Sequence, residues 1–202
     1  MPHYFENPKN RAHNRKEITF RFLGIETRLT VDDHVFSKTK PDEGSLLLVE
    51  ELLKQHPQGT LCDLGSGYGL MSILLKIHQP ELMITGIEVN EWAHLCALDS
   101  IQKNHLDITF IQGDALSTEL NQYDWIITNP PIRAGKDVVF GFLTRAKAHL
   151  TPNGRLLFVI RRQQGVKSAV NFLQSHFEVL NRLTLKKGFE VWMAEKPLTL
   201  HR

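Results

Sequence analysis

Leu61-Cys62-Asp63-Leu64-Gly65-Ser66-Gly67-Tyr68-Gly69 reads as a buried strand that runs into a glycine-rich turn and then into a helix. Glycines at such a turn allow positive φ and let backbone amides approach a ligand closely. In open α/β sheets ligands bind outside the carboxyl ends of the strands, which is where this turn falls. The spacing is Gly-x-Gly-x-Gly rather than Gly-x-Gly-x-x-Gly, and an acid, Asp63, precedes the first glycine. A carboxylate is poorly placed beside a pyrophosphate but suits an ammonium or sulfonium charge. Both features argue against a nicotinamide dehydrogenase. Alone, such a loop is a weak signal, since a tight turn needs glycine for purely structural reasons.

Working outward, short apolar strands alternate with helices. Strands are predicted near 60–64, 82–88, 106–111, 123–128 and 154–161, and helices near 69–79, 91–104, 137–150 and 165–175. That alternation predicts an α/β fold with a doubly wound, mostly parallel sheet and helices on both faces. Phe177 to Leu185, a Lys186-Lys187-Gly188 turn and Phe189 to Ala194 break the rhythm and read as an antiparallel hairpin closing one sheet edge. Upstream, Asp42 to Gln55 carries Leu46, Val49, Leu52 and Leu53 on one helical stripe. Two alternating stretches, 17–23 and 26–31, flank Gly24-Ile25 and predict a small N-terminal hairpin. The first 16 residues read as a polar, basic arm.

Two further acids stand at strand ends. Glu88, in Thr85-Gly86-Ile87-Glu88-Val89-Asn90, lies where adenosine-binding sheets hold ribose hydroxyls. Asp114, in Gln112-Gly113-Asp114-Ala115-Leu116, follows the next strand and could accept from an adenine amino group. Singly, each could be a helix cap or a solvated loop residue. Three acids at three successive strand ends predict an adenosine ligand. The fourth strand then ends in Asn129-Pro130-Pro131-Ile132. The prolines fix the backbone and remove donors, and the Asn129 amide oxygen and the Pro130 carbonyl offer two acceptors. Two acceptors match the two hydrogens of a planar amine, and gripping both turns its lone pair away from ring conjugation. Catalysis of methyl transfer to such a nitrogen rests on positioning and electrostatics rather than on a strong base.

Bulk properties bound the alternatives. The 202 residues suit one domain; 42% hydrophobic and 23% charged are ordinary for a globular protein. No apolar run approaches a membrane span, the N-terminus lacks a signal-peptide core, and Cys62 and Cys96 lack metal-ligand spacing. These point to a cytoplasmic protein with free thiols, no metal and no membrane partner. The net charge of +2 conceals +3 over residues 1–40, −10 over 41–132 and +9 over 133–202. A basic last third beside an acidic middle suits a polyanionic partner.

Together these residues resemble the class I S-adenosylmethionine-dependent methyltransferases. More narrowly they resemble the small-domain methyltransferase family that includes the 16S ribosomal RNA guanine-N2 enzymes. The resemblance runs from about Phe36 to Glu195 and includes Val35-Phe36-Ser37, Asp42-Glu43-Gly44-Ser45, Asn129 to Lys136 and Gln163 to Ser168. It implies a seven-stranded sheet whose last two strands make the antiparallel edge; with the arm and hairpin over 1–40, the remainder, 41–202, is expected to be the methyltransferase domain. It implies S-adenosylmethionine held by Asp63, Gly65, Gly67, Gly69, Glu88, Asp114, Ala115 and Asn129, with Phe36 and Ser37 leading into it. Asn129, Pro130 and Pro131 would hold the acceptor nitrogen. Ile132, Arg133, Lys136, Arg161 and Lys167 would meet the substrate, expected to be ribosomal RNA or an assembling small subunit. Lys9, Arg11, Arg15, Lys16 and Arg162 are further candidates for RNA contact. Many relatives place Phe or Tyr where Ile132 stands, so base stacking here would need Phe36 or Phe140. A protein glutamine amide, as in a release factor, is an alternative acceptor; a non-catalytic cofactor- or RNA-binding module is another.

Overall fold

The computed structural model describes residues 14–33, 35 and 40–198. Lys9, Arg11, Phe36 and Ser37 lie outside the described residues, as does most of the predicted arm. The first described element is a hairpin of β1 (Arg15–Phe22) and β2 (Ile25–Asp32). Its turn is Leu23-Gly24, one residue earlier than expected, because Phe22 pairs with Ile25. Leu23 and Gly24 both take positive φ, 45° and 87°, the backbone that a two-residue hairpin turn demands. Leu29, Val31 and Phe22 are buried, so the hairpin packs its apolar face inward. The Thr30 N–H donates to Ser100 Oγ at 2.9 Å, fastening β2 to a helix described below.

The main body alternates as follows: α1 (Glu43–Leu53), β3 (Thr60–Leu64), α2 (Leu70–His78), β4 (Met83–Glu88), α3 (Glu91–Asn104), β5 (Thr109–Gln112), β6 (Tyr123–Thr128), α4 (Lys136–Ala148), β7 (Leu150–Arg161), α5 (Val166–Gln174), β8 (Phe177–Lys186) and β9 (Phe189–Pro197). A 3-10 turn, Ile132–Ala134, precedes α4. Seven strands form one sheet in the order β5-β4-β3-β6-β7-β9-β8. β9 runs antiparallel to both neighbours, and the rest of the sheet pairs parallel. The chain winds outward in opposite directions from β3, so the topological switch point lies between β3 and β6, where ligands bind in such sheets.

Two cores fill the two faces. One joins α1, α2, α3 and the hairpin through Leu48, Ile73, Leu75, Trp92 and Leu29. The other joins α4 and α5 through Phe142, Leu143, Ala169 and Leu173. Two strand starts differ from expectation by three residues or more. β5 starts at Thr109 rather than near 106, and β7 starts at Leu150 because Tyr123 pairs with Leu150 across a register shift. Gly154 sits in that irregular stretch, where a Cβ would stand 2.9 Å from the Tyr123 carbonyl oxygen.

Candidate active site

Parallel registers bring the predicted residues to one edge. Leu64 pairs with Ile87 and Glu88 with Gln112, so the turns after β3, β4 and β5 open side by side. Thr128, the last residue of β6, donates its hydroxyl to the Leu64 carbonyl at 2.9 Å and ties the Asn129 turn to the glycine loop. Beneath these turns lies a cavity of about 510 Å³, a size that suits a nucleoside-like ligand.

Gly65, Gly67, Glu88, Asp114, Ala115 and Asn129 line this cavity. Pro130, Pro131, Ile132, Arg133 and Arg161 complete one wall. In the loop, Gly67 takes φ +57°, and Gly69 takes φ +84° where a Cβ would press into Phe110, Ile73 and Ala97. Gly69 therefore serves the packing of α2 behind the loop and is not part of the cavity wall. Asp63 is also behind it: fully buried, its Oδ2 accepts from Ser72 Oγ at 2.8 Å. Burial pushes the Asp63 carboxyl up to about 7; the Ser72 hydrogen bond opposes this and the nearby Glu88 charge adds to it. Burial likewise raises Glu88, against backbone donors from Asn90 and Gly67.

Ser66 and Tyr68 belong to the cavity wall, but Ser66 Oγ and Tyr68 Oη are themselves buried and have no hydrogen-bond partner among the described residues. Asp63 Oδ1, behind the loop, is also buried without a partner. Buried polar atoms are normally satisfied, and these three cluster at the glycine loop.

Asn129 is held from a distance in sequence. Its Nδ2 donates to Asp42 Oδ2 and to Ser45 Oγ, both at 3.0 Å. Asp42 caps α1, its Oδ2 accepting from the Ser45 N–H at 2.8 Å. The sequence places Asp42 at the start of a helix, but nothing in it shows the cap or the reach to a residue 87 positions on. Tyr68, Met71, Gln164 and Phe189 are further wall residues that sequence reasoning did not single out.

Other candidates lie elsewhere. Lys136 and Lys167 are exposed and stand outside the cavity wall. Phe140 is not among the wall residues; it stacks on Phe172 at 4.4 Å, and Lys136 Nζ lies 5.1 Å from its ring centroid. Arg15 and Lys16 belong to β1 rather than to an arm, and pair with Asp99 and Asp33 at 3.0 and 3.2 Å. Arg161 lies over the Phe189 ring at 4.4 Å. Arg162 approaches the buried Glu190 at 3.7 Å, as Arg182 does.

A seven-stranded sheet with its antiparallel last pair, carrying these acids and an Asn-Pro-Pro turn around one cavity, defines a methyltransferase of the Rossmann-like class. The family model described as the methyltransferase small domain matches residues 26–193, and the chain belongs to that family. It is 32% identical over 197 residues to the uncharacterised protein YbxB of Bacillus subtilis, covering 96% of this chain and 98% of that one. It is 33% identical over 132 residues to ribosomal RNA small subunit methyltransferase C of Shewanella halifaxensis, covering 63% of this chain and 38% of that protein. A solved T. thermophilus 16S rRNA guanine-N2 methyltransferase, in complex with AdoMet and guanosine, superposes with a TM-score of 0.81 at 28% identity. That match covers 90% of this chain and 50% of the solved one, so the chain spans about half of that larger enzyme.

Proposed function

We propose that this chain uses S-adenosylmethionine to methylate the exocyclic N2 of a guanine in small-subunit ribosomal RNA, in the cytoplasm and on free RNA or an assembling subunit. The observation that carries the reading is Asn129, held in the cavity wall beside Pro130 with its amide nitrogen already bonded to the protein. Support comes from the solved relative that holds AdoMet and guanosine.

When bound, the cofactor supplies a methyl group on a sulfonium and leaves as a neutral thioether. Glu88 and Asp114 would hold its ribose and adenine, with Ser66 and Tyr68 beside them on the wall. The acids on the cavity wall, Asp42, Glu88 and Asp114, favour a ligand that carries positive charge. On the acceptor side, Asn129 Oδ1 and the Pro130 carbonyl take the two amine hydrogens, and Ile132 gives the base an apolar contact. As the new bond forms, the nitrogen becomes positive and the same two oxygens stabilise it before a proton leaves to water. Arg133, Arg161, Lys136 and Lys167 supply the charge that a polyanion requires.

Incubation with methyl-labelled cofactor and unmodified small-subunit RNA, followed by nucleoside mapping, is the test. The expected product is N2-methylguanosine. Label that survives ribonuclease and appears in protein glutamine would sink the RNA reading.

A further inference from the structure

We infer that Asp42 and Ser45 are positioning residues that fix which end of the Asn129 carboxamide meets the acceptor. The inference rests on the proposed role of Asn129 as an acceptor of N–H hydrogens.

A carboxamide has two ends of nearly equal size and opposite hydrogen-bonding sense. With its oxygen toward the substrate, Asn129 accepts an N–H. Rotated by half a turn it would present its own NH2, donor against donor, and the amine could not dock. Shape does not choose between the two states; the neighbours do. Both Nδ2 hydrogens are engaged, one by Asp42 Oδ2 and one by Ser45 Oγ, each at 3.0 Å. In the rotated state the amide oxygen would face the Asp42 carboxylate, an acceptor against an acceptor with negative charge. The network therefore leaves Oδ1 as the free end.

The grip is rigid because its base is rigid. Asp42 Oδ2 also accepts the Ser45 N–H at 2.8 Å as the cap of α1. The next residue, Glu43, pairs with Lys187 of the β8–β9 turn at 2.8 Å. Gly44 lets α1 lie against Phe189, since a Cβ there would stand 2.8 Å from the ring. In Asp42-Glu43-Gly44-Ser45, then, the first residue caps the helix and accepts from Asn129, and the second ties α1 to the β8–β9 turn. The third permits close approach, and the fourth supplies the other acceptor. One consequence is selectivity for acceptor atoms that bear hydrogen. A ring nitrogen with a lone pair and no hydrogen gains nothing from a locked amide oxygen.

The test separates a positioning role from helix capping. Ser45→Ala keeps the backbone N–H that Asp42 caps and removes one acceptor. Asp42→Ser keeps a good cap but shortens the side chain out of reach of Asn129. Each is expected to lower kcat on unmodified small-subunit RNA by roughly tenfold or more, as small misplacements do, with melting temperature and S-adenosylmethionine Kd close to wild type. In an Asn129→Ala background the same changes should add nothing.

Wild-type kcat in both Ser45→Ala and Asp42→Ser while Asn129→Ala is inactive overturns the inference. A loss that tracks S-adenosylmethionine Kd or melting temperature overturns it as well. Asn129→Ala with wild-type turnover overturns the underlying reading itself, so the two failures are distinguishable.

Discussion

The Glu88 carboxylate takes the backbone N–H of Gly67 at 2.8 Å, bolting the end of β4 to the middle of the glycine loop. Its other oxygen accepts the Asn90 N–H, also at 2.8 Å. Glu88 also lines the cavity, and a carboxylate oxygen can accept more than one bond, so one side chain can shape the loop and receive ribose hydroxyls. Asn90 in turn caps α3 through bonds from the Trp92 and Ala93 N–H groups.

Glu88→Gln should therefore weaken S-adenosylmethionine binding although it is nearly isosteric. One end of the amide must place its NH2 against a backbone N–H, either that of Gly67 or that of Asn90. Losing such a bond to a charged group, with a partly buried donor left over, costs about 1–3 kcal/mol. Calorimetry should read this as a Kd increase of roughly 5- to 150-fold. An unchanged Kd would mean that the loop does not depend on this acid.

Asp63 makes a pH-dependent contribution whose sign is fixed by burial. Its carboxyl moves from an ordinary 3.8 to about 7 in the folded protein. The folded state thus holds this proton more tightly than the unfolded chain does, and stability from this group is fully present below about pH 4. It is lost as pH rises toward 7 and stays lost above that. Asp63→Asn cannot ionise and keeps an oxygen for the Ser72 hydroxyl. The melting temperature of the variant minus that of wild type should climb between pH 4 and pH 7.5, by about 2–4 °C for each kcal/mol removed. A flat difference across that range would show that Asp63 does not titrate in the folded protein.

Gly44→Ala should cost stability and activity together. The added methyl would meet Phe189 Cδ1 and Cε1 at 2.8 Å and stand 3.2 Å from Asp42 Oδ2. Phe189 is buried under Arg161, so α1 must yield instead. Overpacking of this kind costs about 1–3 kcal/mol, measurable as a shift in the urea midpoint. Turnover should fall further than stability alone explains, since Asp42 moves with the helix.

What can be read from the chain follows physical range. The β-strands and helices are legible because apolar periodicity is local, and the acids at 63, 88 and 114 are legible because parallel sheets put strand ends on one rim. Their division of labour is not. Asp63 and Gly69 carry the same motif as Gly65 and Gly67, yet they face the packing behind the loop, which only the strand's face and the neighbours Ser72 and Phe110 decide. Phe140 offers an aromatic ring at a plausible place, but its helical phase turns it to Phe172. The hold of Asp42 on Asn129 joins α1 to the tip of β6, and no local pattern encodes a contact between distant segments.

The basic last third of the chain should be visible as salt dependence. Each phosphate contact that a lysine makes releases condensed counterion, so log K for RNA falls linearly with log salt at about 0.7 per contact for a single strand. Lys136 and Lys167 stand outside the cavity wall and are exposed, so removing them leaves the cofactor cavity intact. Lys136→Ala and Lys167→Ala should each flatten the slope by about that amount and raise KM for RNA. The kcat at saturating RNA and the S-adenosylmethionine Kd should not move, because neither lysine meets the reacting nitrogen. Arg162→Ala should show a smaller change, since the buried Glu190 neutralises part of its charge. Equal slopes in wild type and in the Lys136→Ala, Lys167→Ala double variant would place the RNA track on another face. In that case charge on α4 and α5 would merely be solvated surface, and the acceptor would have to enter past Arg133 and Arg161 alone.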